Sequence, residues 1–185
     1  MNFLLLNDKG IIMIEHSIFE AYKDKYKKNW DKLYFAVDLH GTILRKTDKI
    51  IPYRKALEVL AKLSSLPEIV LILFTSTRKK ELKNFYKLIQ KHNITFEYFN
   101  KNPECNSDDI RDFSKKFYYN VLFDDRAGFD PEKDWEIVNS SIDIVQHMKK
   151  CPHMLFCPYL KKEYEMYGKA FKCPFSNQSL CIYKY

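Results

Sequence analysis

Apolar and polar residues fall along this chain in blocks that read alternately as strands and helices. Two unbroken apolar runs, Leu33 to Val37 and Ile69 to Phe74, have the length and lack of polar interruption of strands buried on both faces. Each stops at polar residues: the first runs into Asp38-Leu39-His40-Gly41-Thr42, the second into Thr75-Ser76-Thr77-Arg78. Between them Ala56, Leu57, Leu60 and Leu63 recur at helical spacing, which predicts a helix with Pro52 in its first turn. Leu82, Phe85, Tyr86 and Ile89 mark another helix, Ile94 to Phe99 a third strand, and Tyr118 to Phe123 a fourth that ends in Asp124-Asp125. A polar loop and a weak helix fill the interval between the last two strands, and a helix from Trp135 to Met148 follows.

The N-terminal stretch is less regular. Phe3 to Leu6 and Ile11 to Ile14, separated by the turn-like Asn7-Asp8-Lys9-Gly10, predict a small hairpin. Ser17 reads as the N-cap of an amphipathic helix in which Ile18, Phe19, Tyr22 and Tyr26 share a face, with Lys23, Lys25, Lys27 and Lys28 between them, ending near Asn29. Strands alternating with helices imply an α/β fold, a Rossmann-like parallel sheet flanked by helices. The expected organisation is a hairpin and helix extension over 1–32, the α/β domain over 33–150, and a short Cys-rich extension over 151–185. The length, 185 residues, suits one core with an appendage.

Ligands of parallel sheets bind at the carboxyl ends of the strands, which is where Asp38, Thr75, Asp124 and Asp125 fall. A carboxylate at the end of a buried strand, followed by a Gly-containing loop, can attack phosphorus while backbone N–H groups approach the phosphoryl oxygens. A carboxylate pair on a later strand makes a hard oxygen site suited to Mg²⁺, and a hydroxyl between them can hydrogen-bond a phosphoryl oxygen. Together these are the parts of a phosphoryl-transfer site.

Those residues resemble three motifs of the haloacid dehalogenase superfamily of phosphohydrolases. Phe35-Ala36-Val37-Asp38-Leu39-His40-Gly41-Thr42 is similar to its first motif, Leu71-Ile72-Leu73-Phe74-Thr75 to its second, and Val121-Leu122-Phe123-Asp124-Asp125-Arg126 to its fourth. The likeness spans roughly residues 33 to 148. It implies that Asp38 forms an aspartyl-phosphate and that Thr75 holds the phosphoryl group. It further implies Mg²⁺ between Asp38, the backbone carbonyl of His40 and Asp124, with Asp125 a direct or water-mediated ligand. In the first motif the family's second Asp is replaced by His40. Imidazole exchanges protons near neutral pH, so His40 can serve as the acid and base, although the exchange puts both rate and reaction type in question. For the cationic third motif, Lys101 lies at the same sheet edge as the other groups, Lys115 and Lys116 precede the fourth strand at its far end, and Arg126 is a substitute.

About thirty-six residues separate Asp38 from Thr75, and the interval from Lys101 to Asp124 is shorter, so neither has room for an inserted lid domain. An open site and a net charge of +7 favour a large phosphorylated substrate, a nucleic-acid end first and a nucleotide next, although charge alone also serves solubility. Phe129 and Trp135, beyond the acidic pair, either form an aromatic wall on which a base stacks or pin the following helix to the sheet. Cys151, Cys157, Cys173 and Cys181, with His153 beside the first, can enclose a structural Zn²⁺ or stand as buried thiols or disulfides; Cys105 reads as incidental. With no apolar run near 18 residues, the expectation is a cytoplasmic protein without membrane attachment. The leading expectation is a Mg²⁺-dependent phosphohydrolase. Its alternative is a fold that has lost catalysis at His40 and engages nucleic acid or a protein through its basic surface and tail.

Overall fold

The computed structural model describes residues 11–47, 49–78, 82–101 and 117–148. The predicted strand Phe3 to Leu6, the weak helix before the fourth strand, Lys115, Lys116, Cys105, His153 and the four tail cysteines lie outside these. Two compact units divide the chain, Met1–Val138 and Asn139–Tyr185. Four parallel strands form the sheet of the first: β1 (Leu33–Val37), β2 (Ile69–Leu73), β3 (Tyr98–Phe99) and β4 (Val121–Phe123), in the order β3-β2-β1-β4. Helices α1 (Ile11–Lys27), α2 (Ala56–Ser64) and α3 (Leu82–Lys91) belong to the same unit, and α4 (Asp134–Met148) begins in it. This is the Rossmann-like α/β architecture that the alternating pattern predicts.

All five residues of β1 are buried, because β1 is central and covered on both faces. Its register runs Leu33 opposite Ile69 to Val37 opposite Leu73 on one side, and Phe35 opposite Val121 to Val37 opposite Phe123 on the other. The chain steps from β1 through β2 to β3 and then returns to the far side of β1 for β4, so strand order reverses between β1 and β4. In open parallel sheets a ligand crevice opens at that reversal, beyond the carboxyl ends.

The two outer strands are shorter than their apolar runs. Asn120 stands in for a ladder partner: its Oδ1 accepts from Tyr34 N–H at 2.8 Å, and its own N–H donates to Tyr34 O at 2.8 Å. On the other side, the N–H of Ile94 is taken by Ile89 O and that of Thr95 by Ser64 Oγ, so the ladder of β3 is confined to Tyr98 and Phe99, with Glu97 bonded to Leu71 just ahead of it. Pro52 bridges Leu44 in an extended segment ahead of α2, outside the helix it was expected to open.

The predicted hairpin is corrected at its second half: Ile11 to Ile14 form the start of α1. Ser17 does not cap this helix; its hydroxyl bonds back to Met13 O at 2.8 Å inside it. The apolar stripe starts earlier than expected, with Ile14, Ile18, Ala21 and Tyr22 all buried, while Lys23, Lys27 and Lys28 face water. Tyr22 reaches the rim of the sheet, where its hydroxyl donates to Glu68 Oε1 at 3.1 Å.

Glu15, half-buried on α1, has its carboxyl pushed up by burial from the usual 4.5 to about 7. The folded state therefore keeps this proton to higher pH than the unfolded chain, and stability falls as pH rises from about 4.5 to about 7 and is level above. Glu15→Gln is expected to remove that slope. Thermal melts across this range should place the variant above the parent at pH 8 and level with it at pH 4; equal melting temperatures at pH 8 contradict the assignment.

Candidate functional site

The strand ladder continues just beyond β1 and fixes the first groups of the site. Asp38 N–H donates to Phe123 O at 2.9 Å, and Phe74 N–H to Val37 O at 2.9 Å, so the ends of β4, β1 and β2 are tied side by side. Asp38 and Asp124 follow those ends directly, and Thr75 stands one residue beyond, after Phe74. Carboxylate oxygens of Asp38, Asp124 and Asp125 lie within 4.8 Å of one another. Asp38, Asp124 and Thr75, predicted from three separate strand ends, line one cavity, and Asp125 lies beside the first two.

The turn after β1 holds the acidic pair in place. Leu39 O accepts from Ile43 and Leu44 N–H, and Gly41 N–H donates to Leu44 O at 2.7 Å, closing a tight reversal. Gly41 sits at φ 93°, and a Cβ there would come within 2.5 Å of Lys46 Cε and 2.6 Å of Asp125 Oδ1. Only glycine allows this approach. Thr42 is fully buried and spans two elements: its hydroxyl accepts from Asp125 N–H at 3.0 Å, and its carbonyl from Trp135 Nε1 at 2.9 Å. Asp124 accepts from Arg126 N–H at 2.8 Å and so starts the short 3₁₀ turn that follows β4.

Thr75 is almost wholly buried and clamped by Asn100. The Asn100 side chain accepts from Thr75 N–H at 2.7 Å and donates to Thr75 O at 2.5 Å, with Asn100 itself at φ 45°. The Thr75 hydroxyl lies 3.0 Å from that of Thr77, which in turn lies 3.0 Å from His40 Nδ1. His40 is thereby held by one ring nitrogen at the mouth of the site. A cavity of about 700 Å³ takes in Asp38, His40, Thr75 and Asp124, and its rim carries Lys46 and Arg126.

Lys101 is exposed and does not line this cavity. Cationic groups come instead from Lys46, whose ammonium lies 2.5 Å from Asp125 Oδ2, and from Arg126. Lys46 was not singled out by sequence, since in a chain with 31 basic residues nothing in its spacing distinguishes it. Phe129 and Trp135 are buried and meet Phe123 with ring centroids 5.3 Å and 5.5 Å away, so they pack against β4 and offer no face to a base.

Burial pushes the Asp38 carboxyl above its ordinary range, and repulsion from Asp124 and Asp125 adds to this; the Leu39 N–H and the His40 ring act against it. Asp125 Oδ1 is buried with no hydrogen-bond partner. An orphaned carboxylate oxygen beside two other carboxylates suits a hard divalent cation, so the donor set fits Mg²⁺. No helix among the described residues is long and apolar enough to cross a membrane.

No family model matches the chain, and no curated relative matches it. A solved structure of a conserved protein from Bacteroides thetaiotaomicron is similar over 60% of this chain and 90% of its own, with 27% identity and a TM-score of 0.47.

Because the Asp38 pKa is raised in the fold, the folded state binds its proton more tightly than the unfolded chain, and stability is lost as pH rises past the usual 3.8. Asp38→Asn is therefore expected to melt above the parent at pH 7 in metal-free buffer, with the gain vanishing by about pH 3. A variant that melts below the parent at pH 7 contradicts this.

Proposed function

We propose that this protein is a Mg²⁺-dependent phosphomonoesterase of the haloacid dehalogenase type, acting through Asp38. The observation that carries the reading is the meeting of Asp38, Asp124 and Asp125 within 4.8 Å at the point where strand order reverses, beside a buried Thr75 hydroxyl. Asp38, Asp124 and Asp125, with the His40 carbonyl, are the groups that would hold the ion. When bound, Mg²⁺ offsets their mutual repulsion and the charge of the phosphoryl oxygens.

In the first step an Asp38 carboxylate oxygen bonds to phosphorus and the ester P–O bond breaks, its electron pair leaving on the ester oxygen. The His40 ring protonates that oxygen, with Thr77 holding Nδ1 and leaving Nε2 for the transfer. In the second step water attacks phosphorus, His40 takes its proton, the acyl P–O bond breaks and phosphate leaves with the Asp38 carboxylate restored. Thr75, fixed by Asn100, donates its hydroxyl to a phosphoryl oxygen throughout. The basic rim and the absence of room for a lid favour a phosphorylated nucleic-acid end as substrate, with nucleotides next.

Phosphate release from 3′- and 5′-phosphorylated oligonucleotides, nucleotides and sugar phosphates, with and without Mg²⁺, tests this. Turnover is expected to require Mg²⁺ and to fall more than about a thousandfold in Asp38→Asn, the scale of losing a nucleophile. His40→Ala is expected to slow the first turnover of an alkyl phosphate by roughly 10²–10⁴, and that of 4-nitrophenyl phosphate far less, since nitrophenolate leaves without a proton. Silence across the panel favours the binding protein over the enzyme, and activity untouched in folded Asp38→Asn rules out Asp38 as the nucleophile.

A further inference from the structure

Lys46 occupies a place in this site that a solvated lysine has no reason to hold. Its ammonium lies 2.5 Å from Asp125 Oδ2 although the Lys46 side chain is 55% exposed, and its Cε rests in the space left by the missing Cβ of Gly41. Its backbone is fixed by its neighbours. Arg45 N–H donates to Ile51 O at 2.8 Å, the Arg45 guanidinium pairs with Glu132 at 2.6 Å and lies over the Tyr53 ring, and Leu44 bridges Pro52. The strap is anchored, while Lys46 itself lines the cavity that Asp38 and Thr75 also line.

Charge decides what the ammonium does there. Three ionised carboxylates outweigh one divalent cation by a single negative charge, and a phosphomonoester dianion would be repelled from such a site. Lys46 and Arg126, both on the cavity rim, reverse the sign. Before any cation arrives, the same ammonium is the counter-ion of Asp125, a residue with its other oxygen buried and unpartnered.

We propose that Lys46 has two stations: it neutralises Asp125 in competition with the divalent cation, and once the cation is bound it swings to the phosphoryl oxygens of the substrate. This rests on the phosphomonoesterase reading and assigns to Lys46, eight positions beyond Asp38 on the β1 strap, the cationic role first sought at Lys101. Cation and substrate then reinforce each other, because each favours the same displaced position of one side chain.

The two stations predict opposite effects of one substitution. Mn²⁺ is titrated calorimetrically into the full-length protein, Lys46→Met and Lys46→Arg, and inorganic phosphate is then titrated into each Mn²⁺-loaded form. Methionine keeps the stem beside Gly41 and removes the charge. Lys46→Met is expected to bind Mn²⁺ about threefold to tenfold more tightly and phosphate about tenfold more weakly, the scale of one charge-assisted contact, with Lys46→Arg retaining phosphate affinity within about threefold. Unchanged or weaker Mn²⁺ binding by Lys46→Met, unchanged phosphate binding, or an equal loss of phosphate affinity in Lys46→Arg overturns the proposal. A parent protein that binds no Mn²⁺ overturns it together with the reading on which it rests.

Discussion

Three carboxylates held within 4.8 Å of one another are the constraint around which this fold is arranged. At that spacing like charges repel by about a kcal/mol in water and several in a partly buried site, so the groups stay together only where the backbone leaves them no alternative. The ladder fixes Asp38 against Phe123, the Thr42 hydroxyl fixes the Asp125 N–H, and Gly41 lets the two loops approach more closely than any Cβ permits. Trp135, fully buried under the turn and bonded to Thr42 O, links this arrangement to the aromatic packing of Phe123 and Phe129. Burial first, and repulsion from Asp124 and Asp125 after it, raises the Asp38 carboxyl above its ordinary range, while Lys46 pairs with Asp125.

Much of the arrangement is legible in the residues. β1 and β2 stand out because central parallel strands are apolar on both faces, and the polar residues that end them are therefore at the carboxyl edge by necessity. Asp38 and Thr75 follow from that reasoning, and Asp124 and Asp125 from the apolar run Tyr118 to Phe123 that they end. The outer strands are harder to read, since side chains take over their pairing: an Asn120 that imitates a backbone partner and a Ser64 hydroxyl that claims Thr95 leave no trace in hydropathy. The N-terminal error has a similar origin. Asn7-Asp8-Lys9-Gly10 looks like a turn between strands, and Ser17 like a cap, but Ile14, Ile18, Ala21 and Tyr22 recur at helical spacing and form one buried stripe.

Lys46 illustrates a different limit. Sequence places residues at the ends of strands, and a lysine partway along a loop has no such anchor, so Lys101, next to β3, was the natural choice for the cation. The reversal at Gly41 and the bridge between Leu44 and Pro52 turn the strap back over the strand ends, and this brings Lys46 to Asp125. Thr77 and Asn100 escaped notice for the same reason. They orient His40 and Thr75 through contacts that no periodicity encodes.

Beryllofluoride, which mimics a phosphoryl group on a carboxylate, tests the central claim without knowledge of the substrate. ¹⁹F NMR of the protein with beryllium fluoride and Mg²⁺ is expected to show bound fluorine resonances that disappear when Mg²⁺ is removed and are absent in Asp38→Asn. Bound resonances that persist in Asp38→Asn, or none in the parent protein with Mg²⁺ present, would contradict the assignment of Asp38 as the group that bonds to phosphorus.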